Sequence, residues 1–411
     1  MSNRIFQSYF PRPPTDWPVM RIGEALDEVD QPIQMRDSET YDLVSIRRRN
    51  GGMFRRESLT GRDILTKTLR SVTPGTFVIA RMQIVHGASA LATNDFAGCE
   101  ISKSYSSFKG TTRCDASYFS WLAKLPFMYA YFLDSSQGVV IEKMTFDQQR
   151  WLSLPVCLPP ISEQRQIVEI LETVQSAIQS AEKLIDKLEK VKQGLLFDLL
   201  TRGISDGTLR DPTRHPGDFL DTKIGRMHRS WKIVELGEVA DVHNGTTPSR
   251  VRPDYWSEGT IPWLASGKVN DYRINSPSEL ITRRAVEETS LRLLPAGAIV
   301  IGMIGEGRTR GMSARLEIDA TINQNLAGII PGPDLDAVYC HVFLHANYAI
   351  LRNGGRGSNQ DALNTSLVAK FPIALPPLEE QRSIAEVVRH AELQLDQEAL
   401  ELAKLQRSRR E

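Results

Sequence analysis

Two stretches of the chain carry apolar residues on alternating steps of four and three. In the first, Ile167, Leu171, Val174, Ile178, Ala181, Ile185, Leu188, Leu195 and Leu199 keep the rhythm, and Lys192 is its one polar interruption. This is the seam of a coiled coil, and it predicts a helix over 161–202, roughly 60 Å long. The same seam recurs 217 residues later as Ile384, Val388, Ala391, Leu395, Leu402 and Leu405, with Glu398 polar. Independent surface helices, each packed on its own domain, have no reason to share a register, so the two stretches are expected to pair with each other.

What precedes each stretch is repeated too. Leu158-Pro159-Pro160 followed by Glu163-Gln164-Arg165 returns as Leu375-Pro376-Pro377 followed by Glu380-Gln381-Arg382, and a double proline is a helix-start signal. Further upstream, Trp17 with Gly23-Glu24 is echoed 214 residues later by Trp231 with Gly237-Glu238. Between these markers lie about 135 residues of short apolar runs punctuated by Gly and Pro, of which Phe77–Ala80 and Ala298–Ile301 read as buried strands. The expected fold is therefore α/β (α+β) with an internal pseudo-two-fold repeat. Two mixed α/β domains, 1–157 and 230–374, are each followed by a long helix, 158–203 and 375–411, and the helices are expected to pair as a coiled coil. Residues 204–229, rich in Asp, Gly, Pro, Thr and Arg, read as an exposed connector outside any core. At the 217-residue offset Glu411 aligns with Gly194, so the second helix lacks a counterpart of Leu195 to Gly203 and one end of the pairing is expected to be open.

Composition narrows the function. The 411 residues are 41% hydrophobic and 24% charged, a folded profile without an 18-residue apolar run or a signal segment, and a cytoplasmic location is expected. Cys99, Cys114, Cys157 and Cys340 are too scattered for zinc or a disulfide framework and read as ordinary buried thiols. Lys plus Arg equals Asp plus Glu at 50 each, so any nucleic-acid contact has to come from local patches. One such patch lies between Leu43 and Arg70, where Arg47, Arg48, Arg49, Arg55, Arg56, Arg62, Lys67 and Arg70 face only Glu57 and Asp63. Asn50-Gly51-Gly52 within it suggests a strand-turn-strand finger whose tip enters a DNA groove, against the plainer alternative of a solvated basic hairpin. In the second half Arg308 and Arg310 follow Gly-rich turns. Arg352, Arg356, Asn359 and Gln360 share a polar, acid-free loop able to approach phosphates and base edges, or to remain a surface loop without function. Lys103 and Lys109 flank Tyr105 and Phe108, aromatics better explained by core packing.

Catalytic motifs are missing from the sequence. It holds neither Asn-Pro-Pro nor Asp-Pro-Pro, which argues against an adenine methyltransferase. Around Gly267-Lys268 there is no P-loop, since Pro262 and Val269 stand where Gly and Ser/Thr are needed. Gly305-Glu306-Gly307 with Gly311 fits a turn between strands better than a dinucleotide loop. Asp221-Thr222-Lys223 lacks a paired carboxylate, and the seven histidines are dispersed. No catalytic residue, metal site or cofactor site is expected in this chain, and it reads as a binding protein.

The ordered set of domain, Leu-Pro-Pro with Glu-Gln-Arg, long helix, Asp198-Leu199-Leu200-Thr201-Arg202-Gly203-Ile204, connector, Ser230-Trp231 with Leu236-Gly237-Glu238, second domain and repeated Leu-Pro-Pro resembles type I restriction-modification specificity subunits over nearly the whole chain. Gly245-Thr246-Thr247-Pro248-Ser249, Ile261-Pro262-Trp263-Leu264 and Ile322-Asn323-Gln324-Asn325 add to the likeness in the second half; the first half has no clear Asn-Gln counterpart. The resemblance implies a non-catalytic subunit whose two target-recognition domains each read half of a bipartite double-stranded DNA target. It implies that the helices pack as an antiparallel coiled coil, space the domains and dock two methyltransferase subunits, that restriction and motor subunits join them, and that AdoMet, ATP and Mg belong to those partners. Two alternatives stay open, the specificity subunit of a type IIB-like system and a DNA-inactive scaffold or decoy.

Overall fold

The computed structural model describes residues 2–9, 14, 16–138, 144–222, 224–289, 291–305, 307–354 and 362–408. The chain divides into two compact units, one made of residues 1–178 and 408–411, the other of residues 179–407.

In the first unit, Val19–Arg21 pairs antiparallel with Pro155–Cys157, so the domain begins and ends on one ribbon beside the Leu-Pro-Pro segment. A four-stranded antiparallel sheet follows in the order Leu26–Val29, Tyr105–Gly110, Phe77–Ala80, Ser89–Leu91. All four residues of Phe77–Ala80 are buried, as their unbroken apolar run demands. A second sheet runs Met53–Thr60, Thr40–Ile46, Glu100–Ser102, Leu69–Ser71, with Thr40–Ile46 parallel to Glu100–Ser102. The helices Ala116–Leu122, Pro126–Asp134 and Gln148–Leu152 close the core around Trp151, Phe119, Tyr131 and Phe132, all fully buried. Phe108 is buried with them and Lys109 is exposed, so the aromatic of that pair serves packing.

The second unit repeats this plan. Lys232–Glu235 pairs with Pro372–Leu375. The main sheet runs Ala240–Asn244, Leu326–Pro331, Ile299–Gly302, Ser313–Leu316, with Arg273–Ile274 added at the edge. The second sheet places Ile261–Leu264 antiparallel to Glu279–Ile281 and parallel to Thr321–Ile322. The four strands before that edge and the three of the second sheet repeat the order and sense of the first domain, whereas Arg273–Ile274 and the first domain's Leu69–Ser71 have no counterparts.

The repeated motifs acquire physical reasons. Glu24 and Glu238 each accept the backbone N–H three residues earlier, at 3.1 Å, and cap the short helices Ile22–Ala25 and Leu236–Val239. Gly23 and Gly237 pass so close to Leu152 and Ala369 that a Cβ would press on them. Gln164 and Gln381 are fully buried. Each amide oxygen accepts the backbone N–H of a helix-capping aspartate, Asp115 or Asp336, at 2.9 Å. Each amide nitrogen donates to the carbonyl of the first proline of the Leu-Pro-Pro segment, Pro159 at 2.8 Å and Pro376 at 2.9 Å. The Glu-Gln-Arg triplet thus bolts the start of each long helix to its own domain.

The long helices span Ile161–Arg202, 42 residues, and Leu378–Ser408, 31 residues. Within the second unit they run antiparallel as a coiled coil. The backbone N–H at Ile204 donates to Glu380 at 2.9 Å, and Lys192 meets Glu392 at 3.3 Å. Ala181, Ile185, Leu188 and Leu195 are half-buried and Leu199 is buried; opposite them Ile384 and Val388 are buried and Ala391, Leu395, Leu402 and Leu405 half-buried. In the first unit Leu171 and Val174 are half-buried and Ile178 buried, whereas Ile167 packs with Val168 against the first domain's own core.

The connector departs from expectation. Residues 204–229 form two hairpins, Ile204–Ser205 with Thr208–Leu209 and Phe219–Thr222 with Gly225–His228. Ile224 and Met227 enter the second unit's core, and Arg210 forms a bidentate pair with the buried Glu380. Few apolar residues are involved, which is why composition alone reads the segment as exposed.

Candidate nucleic-acid interface

In the first domain the basic patch separates into two parts. Along the strands and the loop that follows, each cation has an acid beside it: Arg55 with Asp42 at 3.7 Å, Arg56 with Glu57, Arg62 with Asp63 at 3.9 Å, Lys67 with Asp37 at 3.1 Å and Arg70 with Asp30. These exposed pairs contribute little to stability, but they cancel much of the field that the sequence balance suggested.

At the turn the situation differs. Arg49 and Asn50 both have left-handed φ, 57° and 54°, and Gly51 N–H donates to Arg48 O at 3.2 Å, the pattern of a type I′ hairpin. Arg47, Arg48 and Arg49 are exposed and have no acid beside them among the described residues. Arg47 lies over the Phe54 ring at 4.3 Å, and Arg48 Nε donates to Gln83 Oε1 at 2.7 Å.

The strand-turn-strand element is present, but its tip does not project. Arg49 and Asn50 N–H groups donate to His86 O and Gly87 O at 2.7 and 2.9 Å, and Asn50 Nδ2 donates to Tyr129 Oη at 2.8 Å. Burial raises the Tyr129 phenol and keeps it protonated. The turn is thereby laid along residues 83–87, and Asn50, read as a base-contacting residue from its place in the turn, is half-buried and engaged.

In the second domain three separated segments converge. Thr246 N–H donates to Ile322 O at 2.9 Å, Trp263 Nε1 to Thr246 O at 3.1 Å, and Asn323 N–H to Leu264 O at 3.0 Å. Gly245 has no room for a Cβ against Ile322 O. Thr247 bonds the exposed Gln324, and Arg250 clamps Glu279 at 2.6 and 2.7 Å while stacking on Trp256 at 3.6 Å. That hydrogen bond holds the Glu279 carboxyl below its ordinary value.

Arg308 is exposed and Arg310 half-buried on the connection between Ile299–Gly302 and Ser313–Leu316. Arg352 sits on the helix Tyr348–Asn353 and donates to Arg310 O at 3.2 Å, so it props the connection from behind. Arg356, Asn359 and Gln360 lie outside the described residues.

The sequence reading passed over Arg81 and Gln83. They follow the Phe77–Ala80 strand as the Arg308 connection follows Ile299–Gly302, and aligning those two apolar runs would have found them. Among the described residues no group of three or more His, Cys, Asp or Glu is placed to hold a metal, and no helix is long and apolar enough to cross a membrane. The four cysteines are free and buried, and burial pushes Cys114 up to about 12.

The chain is thus built twice from one two-sheet domain and one long helix, with a basic turn at the surface of the first domain. The family described as type I restriction modification DNA specificity domain matches residues 14–190 and 228–407, and the chain belongs to that family, a family of specificity rather than catalytic subunits. It is 25% identical to the specificity subunit of the EcoR124I/EcoR124II type I restriction enzyme of Escherichia coli, over 79% of each chain. It is 29% identical to the MjaIX specificity subunit of Methanocaldococcus jannaschii over 42% of this chain and 40% of that one. In fold it is similar to the type I restriction-modification S subunit from M. genitalium, with a TM-score of 0.59 at 14% identity, covering 96% of this chain and 94% of that one.

Proposed function

We propose that each globular domain reads one half of a bipartite double-stranded DNA target and that the helices set the distance between half-sites. The helices also dock two modification subunits, which flip and methylate adenines beside the sequence read; restriction and motor subunits join the same assembly. AdoMet, ATP and Mg belong to those partners, and the complex works in the cytoplasm. The observation that carries this reading is the duplication: the same domain, bolted by the same buried glutamine to the same kind of helix, occurs in both halves matched by the family.

Single-molecule methylation mapping tests it, on DNA from cells expressing the chain with the methyltransferase encoded beside it. The expected result is a bipartite adenine-methylated motif that disappears when this chain is deleted. A stable complex that produces no motif would favour the scaffold reading, to which the acid-paired Arg55, Arg56 and Lys67 lend some weight.

A further inference from the structure

We propose that the hairpin tip formed by residues 81–88 is the base-reading element of the first domain, with Arg81 and Gln83 as its specificity-determining residues. In this proposal it is the structural twin of the Arg308 tip in the second. The proposal rests on the specificity-subunit reading above and names residues within it.

Three observations carry it. First, the tip is seated in the same way in both domains although the sequences differ. It joins equivalent neighbouring strands, Phe77–Ala80 to Ser89–Leu91 and Ile299–Gly302 to Ser313–Leu316. Near its end stands a glycine with left-handed φ, Gly87 at 69° and Gly311 at 80°. Each glycine touches a helix so closely that a Cβ would collide, with Tyr129 of Pro126–Asp134 and with Arg352 of Tyr348–Asn353. Seating by backbone and glycine leaves the other tip residues free to vary, which is what a reader of different sequences needs.

Second, the tip lies among exposed cations that have no acid beside them among the described residues. Residues 49 and 50 of the arginine turn bond to its carbonyls at 86 and 87, and Arg81 N–H donates to Ser104 O at 3.0 Å, beside the exposed Lys103. The segments 47–52, 81–88 and 102–105 contain no acidic residue. Arg47, Arg48, Arg49 and Lys103 thus supply phosphate contacts around an exposed Arg81.

Third, the Gln83 amide is oriented. Its oxygen accepts from Arg48 Nε, which leaves its NH₂ group to donate to an acceptor on a major-groove base edge, such as purine N7 or guanine O6. Met82, 64% exposed beside it, offers an apolar contact of the kind a thymine methyl accepts.

The test uses the chain co-expressed with its methyltransferase partner and the same methylation mapping. Gln83→Glu retains a partner for Arg48 and removes the amide donors. Arg81→Ala removes the exposed cation. Each is expected to relax one position of one half-site by about tenfold, with the other half unchanged as an internal control for folding. Arg308→Ala is expected to relax the opposite half. A wild-type motif left untouched by Gln83→Glu and Arg81→Ala would overturn the tip while sparing the specificity reading. Loss of both halves together, or an Arg308→Ala effect in the half altered by Arg81→Ala, would also overturn it. A wild-type chain with no motif would overturn the reading on which the tip depends.

Discussion

His341 shows how far a single side chain can be moved by its surroundings. It is 1% exposed, with its ring centroid 4.5 Å from that of Tyr272 and 6.0 Å from that of His345. Burial first, then the charges of His345, Arg315 and Lys192, drive its imidazole down to about 3, with only the Ser313 carbonyl opposing. A depressed histidine is neutral in the folded protein and takes up its proton only on unfolding. The unfolded chain therefore binds more protons below an ordinary pKa of about 6.5, and stability is lost as the pH falls from there towards 3. Half-buried His345 is shifted the same way, chiefly by desolvation, and adds to the loss. Urea unfolding is expected to show the second unit weakening between pH 7 and 5 by up to about 1.4 kcal/mol per pH unit for His341. The slope should be visibly flatter in His341→Leu; an unchanged slope would remove His341 from the account.

At the scale of elements, the polar break at Lys192 is a junction. Its ammonium meets Glu392, with side chains only 18% and 6% exposed, and lies 4.7 Å from the Tyr272 ring centroid. Tyr272 Oη donates to the same Glu392 at 2.7 Å, and Tyr272 holds a left-handed φ of 60° to reach it. Burial and the neighbouring carboxylate keep this phenol protonated well above its ordinary range. Helix, helix and recognition domain are thus tied at one point inside the second unit. Removing one partner strands a buried charge, so Lys192→Met is expected to cost about 3–5 kcal/mol. Combining it with Glu392→Gln, which still accepts from Tyr272, should recover much of that loss. A denaturation double-mutant cycle measures the coupling, and strict additivity would contradict the junction. From sequence, Lys192 was visible only as an interruption, because its partners lie 80 and 200 residues away along the chain.

On the scale of the whole molecule, duplication is the organising fact, and it makes modularity testable. Each domain carries its own sheets, its own buried glutamine bolt and its own tip. Exchanging residues 1–157 for those of another family member is therefore expected to change one half of the methylated motif and leave the other intact. A change in both halves would mean that readout is shared between the domains. The connector enters the same prediction, since Arg210 and Met227 belong to the second unit, and the exchange point should fall before the long helix and not within residues 204–229.

The sequence by itself determined the duplication, the two helices with their seams, the buried strand at 77–80, the second one to within a residue of the observed Ile299–Gly302, and the family. These rest on periodicity and on motifs confined to a few neighbouring residues, where spacing alone states which side is apolar. Tertiary structure alone decided which cations have an acid beside them, that the Asn50 turn lies down instead of projecting, and that the connector joins a core. Those outcomes depend on partners tens to hundreds of residues distant: Asp30 for Arg70, Gln83 for Arg48, Glu380 for Arg210. A hydrogen bond or ion pair across such a separation leaves no mark on local spacing, because its two ends are neighbours only in the folded chain.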